Sequence, residues 1–233
     1  METHSYLRRR DQIQNYFNDT AADAWKRLTS DAPLGRIRQT VRAGRDEMRA
    51  TLIGWMPDDL RGVRILDAGC GTGALANEAA ARGADVVATD LSSSLIEMAR
   101  QRTPRTFGAG HVEFIVGDML QPGLGEFDYV VAMDSLIHYS APDMVAAVSR
   151  LAEKSKQGVF FTYAPKTPVL AVMHAIGRAF PRSDRAPAIE PISAFKLGEL
   201  LNSEPKLGSW NMCRTARITS GFYKSQAVEL VPE

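Results

Sequence analysis

The chain has 233 residues, of which 45% are hydrophobic and 24% are charged, a composition that suits one globular domain of ordinary core size. Its net charge of +1 excludes a protein whose overall field attracts nucleic acid. The arginines at residues 8–10 precede no apolar run, so they do not begin a signal peptide, and no segment approaches the ~20 apolar residues of a membrane span. Cys70 and Cys213 have neither metal-ligand spacing nor a disulfide framework, so we expect a cytoplasmic protein.

Residues 1–57 are predicted to be helical. Between Pro33 and Pro57, apolar residues recur at helical spacing and form one stripe: Ile37, Val41, Met48, Leu52 and Trp55. The opposite face carries arginines that form either a solvated surface or a docking surface for an anionic substrate: Arg36, Arg38, Arg42, Arg45 and Arg49. An earlier helix carries Tyr16 and Phe17, which either anchor it to the core or cover a ligand pocket as part of a lid.

A glycine-rich turn follows the first predicted strand. Residues 63–67 form a short apolar run that is typical of a buried parallel strand, and a helix is predicted over 74–82. Between them, Gly69, Gly71 and Gly73 allow the backbone to turn tightly and to approach a ligand closely. A strand, a glycine turn and a helix N-terminus together predict a nucleotide-binding crevice. Because Gly69, Gly71 and Ala74 also satisfy the dinucleotide spacing G-x-G-x-x-G/A, the turn alone leaves the nucleotide open.

Acidic residues at the ends of the first three strands favour one nucleotide. Asp67 would repel a pyrophosphate but attract an ammonium or sulfonium group, and Asp90 ends the second strand, where a carboxylate accepts hydrogen bonds from both ribose hydroxyls. Asp118 and Met119 follow the third strand and suit the edge and face of an adenine. Together these turns resemble the S-adenosylmethionine (SAM) site of class I methyltransferases, over roughly residues 63–163. The resemblance implies a set of cofactor-binding residues: Asp67, Gly69, Cys70, Gly71, Gly73, Asp90, Leu91, Asp118, Met119 and Met133.

The order of predicted elements favours an α/β, doubly wound, Rossmann-like fold. Strands near 63–67, 84–89, 111–116, 127–132 and 157–163 alternate with helices near 74–82, 93–102 and 142–154, which predicts a mostly parallel sheet. A helix near 193–203 and an antiparallel hairpin of strands near 206–213 and 217–229 complete it. We expect an N-terminal helical lid over 1–57, a SAM-dependent methyltransferase domain over 58–233, and a substrate arm inserted at about 164–191.

His138 and Tyr139 follow the fourth strand, at the position that faces the methyl group in methyltransferases of this fold. Base N-methylases have an Asn/Asp-Pro-Pro-Tyr/Phe motif there, and this chain lacks it, so nucleic-acid bases are not expected as acceptors. His138 offers a group that titrates near neutrality. The inserted arm contains an apolar helix with a cationic rim. Three roles are open for this helix: it covers a flat substrate, it packs on the sheet, or it contacts a membrane surface.

Five further stretches resemble the magnesium protoporphyrin IX O-methyltransferases of (bacterio)chlorophyll biosynthesis: 16–18 with Trp25 and Arg27, 133–139, 161–168, 176–185 and 221–225. The resemblance implies methyl transfer from SAM to a propionate carboxylate of magnesium protoporphyrin IX, with S-adenosylhomocysteine as product and no protein-bound metal. It implies His138 and Tyr16 as catalytic residues. A flat apolar macrocycle with anionic edges would suit the apolar, cationic arm and the phenol after the fourth strand, which predicts a substrate-binding set: Tyr139, Lys166, Met173, Ile176, Arg178, Arg182 and Arg185.

Two other functions fit the same motifs. A SAM-dependent methyltransferase of a quinone or other small phenol would need a base or a metal to ionise a hydroxyl of pKa ~10. A non-catalytic porphyrin carrier would bind SAM without turnover. If the chain methylates magnesium protoporphyrin IX, the expected partners are the porphyrin substrate and the porphyrin-binding subunit of the magnesium chelatase. Contact with the photosynthetic membrane is expected to be at most peripheral.

Overall fold

A seven-stranded sheet organises the part of the chain that this computed structural model describes, residues 3–20, 35–166 and 188–233. Its strands are β1 (Arg64–Ala68), β2 (Asp85–Asp90), β3 (His111–Val116), β4 (Phe127–Ala132), β5 (Ser155–Tyr163), β6 (Trp210–Ser220) and β7 (Tyr223–Pro232). They lie in the order β3-β2-β1-β4-β5-β7-β6. The first five are parallel, whereas β7 is antiparallel to both β5 and β6. The predicted fold class is therefore confirmed.

Helices cover both faces of the sheet. Ile65 packs with α2 (Arg36–Gly54), α3 (Ala74–Ala81) and α4 (Ser93–Arg102), whereas the next residue, Leu66, packs with α5 (Ala141–Ala152) and α6 (Ala194–Ser203). Because a sheet covered on both faces has no solvated side, the middle positions of its central strands are mostly apolar, as in Ile65–Leu66 of β1 and Val86–Ala88 of β2. Serine side chains cap the N-termini of three helices by accepting hydrogen bonds from backbone amides: Ser92 of α4, Ser140 of α5 and Ser193 of α6.

The N-terminal region divides into a buried part and a covering part. The predicted stripe of α2 is confirmed at Met48 and Leu52, which are fully buried, whereas Ile37 near the start of the helix is 56% exposed. Helix α2 packs against β6 and β7, so it belongs to the core of the sheet. Helix α1 (His4–Asn15) and the π-helical turn Tyr16–Thr20 instead contact the segments that follow β2 and β3. The structure thus separates α2, which packs on the sheet, from α1 and the π-helical turn, and the lid over 1–57 stays a prediction.

The C-terminal hairpin lies later in the chain than predicted. Strands were predicted near 206–213 and 217–229, with the turn between them, and this turn position is wrong. Pro205–Leu207 form a 3₁₀ helix, and the turn is made by Gly221 and Phe222. Gly221 takes a φ of 54°, in the left-handed region that favours glycine. A Cβ there would also come within 2.4 Å of the Thr40 hydroxyl oxygen. The turn therefore needs this glycine.

The carboxyl ends of the parallel strands meet at one edge of the sheet. Strand order reverses between β1 and β4, which opens a crevice at this edge. All the loops that carry the predicted cofactor-binding residues lie here. Within the described ranges, no helix combines the length and hydropathy that crossing a membrane requires.

Candidate active site

The glycine turn after β1 is held against the end of β2. The amides of Gly69 and Cys70 both donate to the Thr89 carbonyl, at 2.8 and 2.9 Å. Gly69 has a φ of 87°, and a Cβ there would come within 2.3 Å of the Ser135 Cβ. The turn accordingly needs glycine both for its backbone conformation and for its close contact with the loop after β4.

Two carboxylates flank this turn. Asp90 accepts hydrogen bonds from the Gly71 amide (2.8 Å) and the Ser92 amide (2.9 Å), which fixes its orientation at the end of β2. Asp67 is 1% exposed, and its Oδ2 has no hydrogen-bond partner in the described part of the chain. Burial and the charge of Asp90 raise the pKa of Asp67 to about 7, although the charge of Arg45 acts in the opposite direction. This arrangement suits a cationic ligand, which would favour the ionised form of Asp67.

Asp118 lies under the N-terminal helix. Its Oδ1 accepts hydrogen bonds from the Tyr6 hydroxyl (3.0 Å) and the Leu120 amide (2.8 Å). Its Oδ2 is 3.7 Å from an Arg10 nitrogen and makes no hydrogen bond among the described residues. The carboxylate therefore retains one buried acceptor oxygen. The predicted contact between Asp118 and the amino group of the adenine requires such an acceptor. Met119 is buried in the same core cluster as Tyr6.

Other residues of the predicted cofactor set line the same edge. Leu91 follows β2, and its carbonyl accepts a hydrogen bond from the Gln14 side chain of α1 (3.3 Å). Met133 directly follows β4 and is 8% exposed. Burial is the main cause of a raised pKa of the Cys70 thiol, which keeps it protonated. The structure thus brings the predicted cofactor residues together along four adjacent strand ends.

The rings of the two predicted catalytic residues both contact the ring of Phe17. Phe17 contacts both the Tyr16 ring, at a centroid distance of 5.2 Å, and the His138 ring, at 6.4 Å. His138 is largely buried on the short 3₁₀ helix Leu136–His138, and its Nδ1 lies 3.4 Å from the Ala188 carbonyl oxygen. Burial raises the pKa of the Tyr16 hydroxyl. The π-helical turn therefore brings Tyr16 into the neighbourhood of His138.

Tyr139 contacts the N-terminal helix in this structure. Its ring stacks on Tyr6 at a centroid distance of 4.6 Å, and it is 1% exposed. Burial raises the pKa of both phenols, so both stay protonated. A contact between Tyr139 and a substrate, which the sequence predicts, would require α1 to move.

The base of the predicted arm lies next to His138. Pro165 pairs with Ile192 as a short parallel bridge, so the chain leaves and re-enters the fold at neighbouring points. The Glu190 amide donates to the Ile137 carbonyl (2.8 Å), and the Glu190 carboxylate pairs with Arg9 of α1 (2.8 Å). Lys166 is exposed at this base. The remaining predicted substrate contacts lie outside the described residues: Met173, Ile176, Arg178, Arg182 and Arg185.

Sequence reasoning missed a polar cluster around Asp134, directly after β4. Asp134 has a φ of 54° and a side chain that is 6% exposed. It pairs with Arg45 of α2 at 2.8 Å and accepts a hydrogen bond from the Tyr223 hydroxyl at 3.1 Å. Thr162 and Ser225 also donate to its Oδ1. The available signal was its position, because Asp134 lies two residues beyond the carboxyl end of β4, as Asp118 lies two residues beyond that of β3.

The arginine face of α2 is partly used within the chain. Besides the Arg45 pair, Arg49 pairs with both Asp46 (2.8 Å) and Glu78 (3.0 Å). Arg36 and Arg38 are exposed. Neither of the two alternatives for this face, a solvated surface or an anion-docking surface, describes Arg45 and Arg49.

Comparison with known proteins identifies the family. A model described as "Magnesium-protoporphyrin IX methyltransferase C-terminus" matches residues 132–232, and a general "Methyltransferase domain" model matches residues 65–158. The chain is 45% identical to the magnesium-protoporphyrin O-methyltransferase of Rhodobacter capsulatus, over 97% of this chain and 98% of that protein. This chain belongs to the magnesium-protoporphyrin O-methyltransferase family. It is also 30% identical to the chloroplastic magnesium protoporphyrin IX methyltransferase of Arabidopsis thaliana, over 96% of this chain and 71% of that one.

A solved structure of the same family supports the fold and the donor. The magnesium protoporphyrin IX methyltransferase from Synechocystis PCC 6803 with bound S-adenosylhomocysteine superposes with a TM-score of 0.83 and 28% identity. The match covers 96% of this chain and 99% of that one. The residues of this site fit SAM, because buried acceptor oxygens of Asp67 and Asp118 have no hydrogen bond among the described residues, and the Gly69 turn excludes a side chain. This class I methyltransferase would hold SAM through those acids, with Asp90 at the ribose.

Proposed function

We propose that this chain transfers the methyl group of SAM to a propionate carboxylate of magnesium protoporphyrin IX, giving the monomethyl ester in (bacterio)chlorophyll biosynthesis. The observation that carries the proposal is the near full-length match to the Rhodobacter capsulatus enzyme together with a site whose buried acids suit SAM. The stretches that match beyond the cofactor motifs favour the porphyrin over a quinone or phenol.

The proposed reaction needs no strong base. A propionate resembles a glutamate side chain, with a pKa near ~4.3, so it is ionised at neutral pH. SAM supplies an electrophilic methyl on a sulfonium: the carboxylate oxygen forms a bond to that carbon, the carbon–sulfur bond breaks, and its electron pair stays on the sulfur. One negative and one positive charge disappear, and no proton is released. No protein-bound metal is required, because the acceptor is already charged.

His138 and Tyr16 would orient the carboxylate. Their placement around Phe17 and beside the base of the arm supports this role. A reaction without a base depends on alignment, which is worth several orders of magnitude in rate when the reacting atoms are held close. A neutral histidine that donates a hydrogen bond would fix the oxygen and exclude water from it. It would also weaken the nucleophile, so the geometry of the contact matters more than its pKa.

The inserted arm is the proposed cover for the porphyrin. Its two ends meet beside Ile137 and His138, so a macrocycle bound under the arm would have its propionates near the methyl donor. Lys166 at the arm base offers one exposed cation for a second propionate. We also propose a transient contact with the porphyrin-binding subunit of the magnesium chelatase, and at most peripheral membrane contact, because the substrate is flat, apolar and poorly soluble.

The test mixes the purified protein with methyl-labelled SAM and magnesium protoporphyrin IX and follows label in a base-labile ester. We expect label with this acceptor and far less with common quinols and phenols. A preference for quinols would move the function to the phenol-methylating alternative. SAM binding without any labelled product would favour the non-catalytic carrier.

Variants of His138 and Tyr16 separate alignment from folding. His138→Ala is expected to lower kcat at least about 100-fold, because the carboxylate loses its alignment. Tyr16→Phe keeps the ring contact with Phe17 and removes only the hydroxyl, so any fall in the kcat of this variant is due to the hydroxyl alone. SAM binding by both variants should match the wild type. Wild-type kcat in His138→Ala would remove this residue from the proposed mechanism.

A further inference from the structure

Arg45 brings a positive charge to the carboxyl end of β4. Its Nη1 lies 2.8 Å from the Asp134 Oδ2, and its side chain is 22% exposed. Its charge also acts on Asp67. Arg45 therefore contacts the acid that follows β4 and is close enough to act electrostatically on Asp67, the acid assigned to the ammonium group of SAM.

The surroundings fix where the guanidinium lies. Asp134 is held by the hydroxyls of Tyr223, Thr162 and Ser225, so it is a rigid partner for Arg45. The next residue, Ser135, packs so closely on the turn after β1 that a Cβ on Gly69 would come within 2.3 Å of its Cβ. The Arg45–Asp134 pair is thus attached to the loop that contacts the proposed cofactor turn.

The chemistry of SAM favours a cation near Asp67. Its methionine end carries an ammonium and a carboxylate on the same carbon, so an ammonium bound at Asp67 brings the carboxylate within a few ångströms. The nearby acids would repel that carboxylate in a site of low dielectric. A guanidinium is always charged and has five N–H donors in a planar fork, so it can bind more than one carboxylate.

We propose that Arg45 binds the α-carboxylate of SAM and that Asp134 positions Arg45 to do so. The proposal rests on the proposed function only in requiring that this cleft binds SAM. It gives α2 a role in cofactor binding, and it assigns Asp134 and Tyr223 to holding the arginine.

The test pairs a protein variant with a ligand that lacks the group in question. Dissociation constants are measured calorimetrically for SAM and for decarboxylated SAM, with wild type, Arg45→Gln and Arg45→Lys. We expect Arg45→Gln to weaken SAM binding about 10- to 100-fold and to leave the affinity for decarboxylated SAM within about twofold of wild type. Arg45→Lys, which keeps the charge, should recover part of the preference for SAM.

Arg49→Gln is the matched control. Arg49 lies one turn further along α2 and pairs with Asp46 and Glu78, away from the strand ends, so its loss should change neither affinity. Equal losses for both ligands in Arg45→Gln would show that Arg45 only maintains the fold, and no loss for SAM would equally overturn the proposal. Because the readout is binding, a wild type that binds SAM but methylates no porphyrin would contradict the proposed function and leave this test valid.

Discussion

Asp67 makes SAM binding depend on pH. Burial and the charge of Asp90 raise the pKa of this carboxyl to about 7, and a bound ammonium favours its ionised form. SAM affinity should therefore rise about tenfold per pH unit up to about 7. Above pH ~8 it should fall again as the α-amino group of SAM loses its proton. Calorimetry from pH 5.5 to 8.5 checks this profile.

Asp67→Asn is the control for that profile. The amide cannot ionise, so we expect weaker SAM binding at pH 7.5 and little change in affinity between pH 5.5 and 7.5. Buffers that differ in ionisation enthalpy should reveal proton release on SAM binding below pH 7 in the wild type only. A wild-type affinity that stayed flat across this range would contradict an ammonium contact at Asp67.

The sequence predicted the site residues whose signal is local. Asp67, Asp90 and Asp118 each lie at or just beyond the carboxyl end of a strand, and a strand is recognisable from the pattern of its own residues. The partners of such acids come from elsewhere in the chain: Tyr6 is 112 residues before Asp118, and Arg45 is 89 residues before Asp134. No local pattern marks these contacts, because tertiary packing creates them.

At the level of elements, the parallel strands and the existence of the edge hairpin were predictable, but the bounds of the hairpin strands were not. The central strands are buried on both faces and stand out as apolar runs. Strand β6 is an edge strand with mostly exposed positions, and its pairing with β7 shifts register between Met212 and Thr215. That irregularity breaks the alternation on which strand prediction depends. Only Gly221 marked the turn.

Helix α1 should be held in place largely by Tyr6. Tyr6→Phe retains the stack on Tyr139 but removes the hydroxyl that donates to Asp118, a hydrogen bond to a charged group that contributes about 1.5–3 kcal/mol. We expect trypsin to cleave at residues 8–10 at least about tenfold faster, because cleavage requires α1 to leave the sheet.

The melting temperature should report whether the change is local. We expect Tyr6→Phe to lower it only slightly, whereas Tyr6→Ala, which also removes the buried ring, should lower it further. An unchanged cleavage rate in Tyr6→Phe would show that the hydroxyl does not hold the helix. In that case the Arg9–Glu190 pair, which joins α1 to the arm base, would be the next contact to remove.

The whole molecule should lose stability as pH rises from 5 to 8 when SAM is absent. Asp67 binds its proton more tightly in the folded chain than in the unfolded chain, so its contribution is complete below pH ~3.9 and is lost as pH rises through about 7. Burial raises the pKa of Asp90 and adds a change of the same sign. Asp143, whose pKa is lowered by hydrogen bonds to hydroxyls, acts only below this range.

The size of this effect can be stated for Asp67. Between pH 5 and 8 it should remove roughly 2–3 kcal/mol of folding free energy, which lowers the Tm of a chain this long by roughly 5–10 °C. Asp67→Asn should flatten this dependence, and saturating SAM should flatten it in the wild type as well, because Asp67 is then ionised in both the SAM-bound and the unfolded chain across this pH range. Thermal melts of both proteins from pH 5 to 8, with and without SAM, measure all four cases. Identical slopes for wild type and Asp67→Asn would show that another group sets the pH dependence. With that outcome, the acid that lowers stability at physiological pH would be a residue other than Asp67, the proposed ligand of the SAM ammonium group.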